Sequence, residues 1–290
     1  MERLSSTILL PIQSLYLTHM KALILRIVIF LPHSYRANDD VHPIANTVYS
    51  RSQLGLPADA FVLFCFNNSY KIISCEFGIW MRVLSQIQGS VLWLLEANKW
   101  VSQNLRNAAQ ARGVDPSRLI FAPKLAHDEH FARHSGACLF IDTFNVNAHT
   151  MTSGALLAGL PLVTKAGKGF AARVAASPLT AIGLPELIVE TEATYEALIF
   201  DLARSPQQLQ PVTEKLAQNR KTSPYLMQVC LPTIWKQAIV PPISARLNRN
   251  HPRIFALPPD PRTDSVQNCL QSNLPIARTF RWVRWALFEA

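Results

Sequence analysis

A lysine and a histidine–threonine pair are the residues of this 290-residue chain whose types and positions best suit the chemistry of an anion. His149 and Thr150 follow a polar loop and stand just before an apolar segment with helical spacing. The N–H groups at a helix start, together with an imidazole and a hydroxyl, suit a phosphate. Lys71 ends a second polar loop, after the apolar run 61–66. There an ammonium group could stabilise the charge that develops on a departing diphosphate; the plainer alternative is a solvated loop lysine.

Histidines and an arginine cluster between 127 and 134. His130 and Arg133 stand one turn apart on a predicted helix, where a surface pair is the plainer alternative to a ligand-binding pair. His127 and His134 read as plain surface residues. The three histidines have helical spacing, but no carboxylate or cysteine accompanies them, so no metal site is predicted.

The elements that must position these residues alternate between strand and helix. A repeat of about 25–30 residues is typical of βαβ units and predicts an α/β fold with a doubly wound, parallel, Rossmann-like sheet. We expect Ser74 to cap a helix that ends at Gly89. The predicted strands are 27–31, 61–66, 90–95, 119–121, 138–141, 161–164 and 187–189, and the other main helices are 98–112, 127–134, 192–204 and 206–220.

The stretch 138–174 is central to this pattern. It reads as strand, polar loop, helix, strand and Gly/Lys loop, with Gly159 and Pro161 ending the helix in the usual order. In a parallel sheet both loops leave the carboxyl ends of their strands, which is where open α/β sheets bind ligands. Asp142, at the start of the first loop, reads as a loop-capping residue.

Composition limits the alternatives. The net charge of +9 and pI near 9.6 allow a nucleic-acid-binding hypothesis, but the basic residues are scattered, so no nucleic-acid partner is expected. Five cysteines without CxxC spacing indicate a reducing, cytoplasmic location. The apolar stretch 22–30 is interrupted by Arg26 and is too short to span a membrane.

Three segments differ in character. Residues 1–30 form an uncertain N-terminal segment, and residues 31–225 form the predicted α/β lobe. Residues 226–290 hold eight prolines, and eight Lys/Arg stand against three Asp/Glu. This last segment is expected to be a poorly ordered basic tail.

Five motifs resemble, in order and spacing, the C-terminal catalytic half of the SPINDLY/O-GlcNAc transferase family. They are FNNSYKI (66–72), GSVLWLL (89–95), RLIFAP (118–123), DTFNVNAHT (142–150) with AGLP (158–161), and RVAAS (173–177). The resemblance covers 31–224 and implies the C-terminal, donor-binding lobe of a GT-B glycosyltransferase. Such an enzyme transfers GlcNAc from UDP-GlcNAc to Ser/Thr of acceptor proteins, with inversion and with neither metal nor other cofactor.

The resemblance also assigns roles to residues at the diphosphate. Lys71 is similar to the family lysine that contacts the diphosphate, and Asn68 occupies a polar position lining the same site. His149 and Thr150 resemble the pair at the phosphate-binding helix start. Lys71 and His149 are therefore the predicted catalytic residues.

Other matched positions concern the nucleoside. Leu125 falls where a backbone group meets the uracil, and His130 and Arg133 resemble the residues that flank it. His127 replaces a lysine that some members have near the ribose.

The chain departs from the family pattern inside the predicted donor site. Met151 stands where a second threonine is usual, and Gly154 stands where an aspartate holds the ribose hydroxyls. Leu157 replaces a tryptophan, and 168–169 replace a Glu-Thr pair. Without a substitute, losing the aspartate would cost about 1–3 kcal/mol.

The resemblance also sets an expectation for the rest of the enzyme. The family's N-terminal lobe and helical repeats have no counterpart in the motifs, so we expect this chain to carry only the donor-binding half, as from a truncated or frame-shifted gene. The alternative is a catalytically inactive fragment that binds UDP weakly or not at all.

Overall fold

The main sheet of the lobe has six parallel strands. The computed structural model describes residues 8–11, 28–31, 47–223, 225–226 and 254–256. The strands are β1 (Val62–Cys65), β2 (Val91–Leu95), β3 (Leu119–Ala122), β4 (Leu139–Ile141), β5 (Leu162–Lys165) and β6 (Ile188–Val189). Their order in the sheet is β3-β2-β1-β4-β5-β6. The chain runs outward from β1 to β3 and then returns to the other side of β1, so its direction of winding reverses between β1 and β4.

Helices connect these strands. They are α1 (Ser74–Gln86), α2 (Lys99–Gln110), α3 (His127–Ala132), α4 (Thr150–Ala158), α5 (Ala176–Ala181), α6 (Glu192–Arg204) and α7 (Pro206–Asn219). Because parallel neighbours need such crossover connections, the alternation and the sheet order together give a doubly wound α/β fold. The predicted fold class is confirmed.

A small separate sheet lies outside this lobe. Its three parallel strands are Ile8–Pro11, Val28–Leu31 and Ile254–Ala256, with Val28–Leu31 in the middle. The strand predicted at 27–31 is thus present. Apart from 226 and Ile254–Ala256, the predicted tail lies outside the described residues, as does most of segment 1–30, so the division into three segments stays a prediction.

The start of α1 differs from the prediction. Ser74 is the first helical residue rather than the cap, and Ile73 is the N-cap. The N–H of Ile73 donates to Oε1 of the buried Glu76 at 2.8 Å. A glutamate three residues into a helix can satisfy the cap's N–H in this way, so the helix starts without a serine cap.

Two other helix ends carry residues that are typical of helix caps. Asn98 caps α2, since its side-chain oxygen accepts from the N–H groups of Trp100 and Val101. Gly159 ends α4 with φ of 85°, the left-handed conformation that glycine adopts most easily. The predicted stop at this glycine is confirmed.

A histidine belongs to the core. His134 is fully buried, and its ring centroid lies 4.7 Å from that of Phe64. Its Nδ1 donates to the carbonyl oxygen of His130 at 2.8 Å. Burial lowers the pKa of His134 to about 3, so the ring is neutral at physiological pH. The interpretation of His134 as a surface residue is wrong.

Candidate functional site

The reversal between β1 and β4 places two polar loops side by side at the carboxyl edge of the sheet. One loop, 66–73, follows β1, and the other, 142–149, follows β4. Such a switch point is where open α/β folds bind ligands. Lys71 spans the two loops, because its Nζ donates to the carbonyl oxygen of Asn147 at 3.1 Å.

The second loop leads directly into α4. His149 is the half-buried N-cap of this helix, and Thr150 is its first, exposed residue. The N–H groups of the first turn of a helix have no partner within the helix and carry its positive dipole end. The ammonium group of Lys71 contacts Asn147, which lies two residues before the N-cap His149. It is therefore next to a helix start that suits an anion.

A buried carboxylate lies beneath both loops. Asp142 is fully buried, and its Oδ1 accepts from the N–H of Thr143 at 2.9 Å and of Ala148 at 2.8 Å. The same oxygen accepts from Asn67 Nδ2 at 2.9 Å, and Oδ2 accepts from Thr164 Oγ1 at 2.8 Å. Burial raises the pKa of Asp142 to about 6, although these hydrogen bonds favour the ionised form.

A second group of predicted residues meets on the other side of the α4 start. Arg133 is buried, and its two terminal nitrogens donate to the carbonyl oxygen of Pro123 and to His130 Nδ1, each at 2.7 Å. The guanidinium also lies over the ring of Phe66, with its carbon 4.5 Å from the ring centroid. Burial lowers the pKa of Arg133 to about 10. Because Arg133 is buried and His130 is half-buried, the plainer alternative of a surface pair does not describe them.

This contact fixes the protonation of His130. A guanidinium can only donate hydrogen bonds, so Nδ1 of His130 accepts, and in the neutral ring the proton is on Nε2. His130 Nε2 lies 3.4 Å from Sδ of Met151. Because Met151 follows Thr150 directly, the group of His130 and Arg133 adjoins the first turn of α4.

The remaining predicted positions are more scattered. Asn68 is exposed and is 3.5 Å from the hydroxyl of Tyr70, and Leu125 is 38% exposed in the loop after β3. His127 is the first residue of α3. Gly154 is buried inside α4, against the ring of Phe131.

The prediction that Asp142 caps its loop agrees with its bonds from the Thr143 and Ala148 N–H groups, but sequence reasoning missed the other hydrogen-bond partners of Asp142. Its partners Thr164 and Asn67 lie 22 and 75 residues away along the chain, so no local pattern joins them. The available signal was a carboxylate placed directly after an apolar strand, where it must find hydrogen-bond donors or stay in solvent.

Neither a metal-binding cluster nor a membrane-spanning helix is found among the described residues. Among them, no group of three or more His, Cys, Asp or Glu side chains is arranged to hold a metal ion. In the same part of the chain, no helix is both long and apolar enough to cross a membrane.

The comparison that decides the family is with the model of Glycosyl transferase family 41, which matches residues 28–230. The chain belongs to this family. The predicted resemblance to the SPINDLY/O-GlcNAc transferase group is confirmed.

Curated relatives agree with this assignment. The chain is 34% identical over 191 residues to the Caenorhabditis elegans UDP-N-acetylglucosamine–peptide N-acetylglucosaminyltransferase, covering 66% of this chain and 17% of that protein. It is 35% identical over 203 residues to the probable enzyme of this name called SEC from Arabidopsis thaliana, covering 68% and 21%. The Hordeum vulgare protein SPINDLY is 30% identical over 174 residues, covering 58% and 18%. The chain thus spans 17–21% of the length of these relatives.

A solved structure supports the fold. A mutant of the Thermobaculum terrenum O-GlcNAc transferase superposes with a TM-score of 0.65 and 23% sequence identity, covering 79% of this chain and 45% of that one. The six-stranded sheet with its flanking helices therefore corresponds to a Rossmann-like lobe of a GT-B enzyme.

Proposed function

We propose that this family 41 chain binds UDP-GlcNAc as the donor lobe of a protein O-GlcNAc transferase. The complete reaction would transfer GlcNAc to Ser/Thr of acceptor proteins with inversion at the sugar. The observation that carries the proposal is the bond from Lys71 to Asn147 O across the switch point, next to the start of α4. The family assignment and the names of the relatives supply the substrate class.

The diphosphate would lie between the two loops. Lys71 would stabilise the negative charge that grows on the departing UDP as the bond to the sugar breaks. His149 would donate to a phosphate oxygen, and Thr150 and Asn68 would add hydrogen bonds. Because the ammonium group and the helix start supply positive charge, the proposal needs no divalent metal and no other cofactor.

The nucleoside would lie toward α3. His130 would contact the nucleoside beside Met151, whose Sδ lies 3.4 Å from His130 Nε2. Leu125, in the loop after β3, and His127, at the start of α3, would border the same ligand. Arg133 is already bonded to Pro123 O and His130, so its part is to hold His130 rather than to reach the base.

The partners would be UDP-GlcNAc and acceptor proteins, with no nucleic acid. The location would be the cytoplasm, a reducing compartment that suits the free thiols of Cys65, Cys75 and Cys138.

Calorimetric titration with UDP in the presence of EDTA tests the donor site. We expect saturable binding by the wild-type chain and at least tenfold weaker binding by Lys71→Ala. Lys221→Ala is the matched control, because it removes the same charge from an exposed residue after α7, and it should bind within twofold of wild type. Loss of binding on adding EDTA would contradict the metal-free site.

Absence of saturable binding by a folded wild-type chain would favour the alternative function, an inactive family member that binds UDP weakly or not at all. One observation favours that alternative. The ring of Phe131 lies against Gly154, where the resemblance places an aspartate for the ribose, so the space for that side chain is filled.

A further inference from the structure

One buried carboxylate joins three neighbouring strands at the switch point. Asp142 follows β4, its partner Asn67 follows β1, and its partner Thr164 lies in β5. We propose that Asp142, with Asn67 as its partner across the strands, is the positioning residue that holds the loop of His149 against the loop of Lys71. This inference rests on the proposed donor site and adds a residue that the family resemblance did not assign.

The loop that presents His149 is closed by Asp142. Asp142 Oδ1 accepts from the N–H of Thr143, at the start of the loop, and from the N–H of Ala148, at its end. A single oxygen atom therefore closes the loop at both ends. Ala148 directly precedes His149, so this bond fixes the main chain from which the imidazole projects.

The loop that presents Lys71 is tied to Asp142 by Asn67. Asn67 is buried, and its Nδ2 donates to Asp142 Oδ1 at 2.9 Å and to Thr143 Oγ1 at 2.8 Å. Asn67 lies four residues before Lys71. The pair of Asn67 and Asp142 thus sets the position of one loop relative to the other, and hence of the ammonium relative to the imidazole.

Asp142 is itself anchored through its main chain. Its carbonyl oxygen accepts from the hydroxyl of Tyr195 at 2.8 Å, and that hydroxyl accepts from Trp80 Nε1 at 3.4 Å. Tyr195 and Trp80 are fully buried. Because Asp142 has no exposed surface, it would act on the donor only through the loops that it holds.

Four variants test this role, with UDP-GlcNAc affinity as the first readout. Asp142→Ala should bind at least tenfold more weakly, because the Thr143 and Ala148 N–H groups lose their acceptor. Asp142→Asn should stay within threefold of wild type, since its oxygen can still accept from both groups while its amide donates to Thr164. Asn67→Ala removes the bonds from Asn67 Nδ2 to Asp142 and Thr143 Oγ1 but leaves Asp142 its bonds from the Thr143 and Ala148 N–H groups and from Thr164. It should lose at least threefold in affinity.

The fourth variant separates positioning from stability. Leu216→Ala removes a fully buried side chain of α7 and should lower the melting temperature without changing affinity. Hydrogen exchange is the second readout: amides of 143–150 should exchange at least tenfold faster in Asp142→Ala, but not in Leu216→Ala.

The outcomes separate the two claims. If the folded wild-type chain does not bind UDP-GlcNAc, the proposed function fails. If wild type binds and folded Asp142→Ala binds equally well, the inference about Asp142 is overturned. Folded Asp142→Asn binding as weakly as Asp142→Ala would also overturn it. Should Asp142→Ala not fold, unchanged affinity in folded Asn67→Ala would overturn the inference as well.

Discussion

The ring of Phe131 lies so close to Gly154 that a Cβ at position 154 would collide with its Cε1 atom and lie 2.6 Å from Cδ1. Phe131 is only 6% exposed, so the ring has little room to withdraw. The ring of Phe131 in α3 therefore fills the space that a side chain at position 154 of α4 would need. A departure from the family pattern is matched by packing, so an aspartate at position 154 would require the ring of Phe131 to move.

Gly154→Ala should lower the free energy of unfolding by about 1–3 kcal/mol, because the new methyl group overpacks the contact with Phe131. Gly78→Ala is the control, since a Cβ there would be 3.7 Å from Arg82 Nη1, in the middle of α1. It should raise stability by up to about 1 kcal/mol through helix propensity. Urea unfolding measures both. Equal effects of the two substitutions would contradict the close contact, and adding Phe131→Leu should recover part of the loss.

Arg133→Lys should release His130 from its fixed tautomer. A lysine cannot reproduce the planar guanidinium that donates to Pro123 O and to His130 Nδ1 at once. Nitrogen NMR shifts of the neutral His130 ring should show the Nε2–H form in wild type and a mixture of tautomers in the variant. Arg112→Lys, at an exposed arginine after α2, should leave the shifts unchanged. A mixture in wild type would contradict the assignment.

The sequence predicted the strands, the helix end at Gly159 and the residues at the two loops, because apolar periodicity and turn chemistry are local. It did not predict the burial of His134 or of Arg133, since the carbonyl groups and rings that accommodate them come from other elements. The prediction that Ser74 caps α1 was wrong for a similar reason, because the side chain of the buried Glu76 accepts from the N–H of Ile73 at the start of the helix. Local patterns locate the site, while its supporting hydrogen bonds depend on tertiary contacts.

His134 should make the fold sensitive to acid. Burial lowers its pKa to about 3, against about 6.5 in an unfolded chain. The folded state then binds fewer protons, so this contribution to stability is present above pH 6.5 and is lost as the pH falls toward 3. From pH 7 to pH 5 the loss is about 2 kcal/mol.

His134→Asn tests this expectation, because its amide can keep the bond to His130 O without titrating. The variant should be less stable at pH 7, since the smaller side chain leaves a cavity. Urea unfolding should show the gap to wild type narrowing by about 2 kcal/mol between pH 7 and pH 5. A constant gap would contradict the buried neutral ring.

Asp142 should act on stability in the opposite direction. Its pKa of about 6 in the folded chain exceeds the ordinary value of about 3.9, so the folded state binds more protons between these values. The contribution of Asp142 to the free energy of unfolding is full below pH 3.9 and is lost as the pH rises through 6. Between pH 5 and pH 7 the loss of stability is about 1 kcal/mol.

Comparison with Asp142→Asn isolates this contribution from that of Glu76, whose pKa burial also raises. Relative to wild type, the variant should gain about 1 kcal/mol of stability as the pH rises from 5 to 7. A relative loss over that interval would contradict the raised pKa. A gain in stability with donor affinity within threefold of wild type would show that the arrangement of hydrogen bonds, rather than the negative charge, is what the loops require from residue 142.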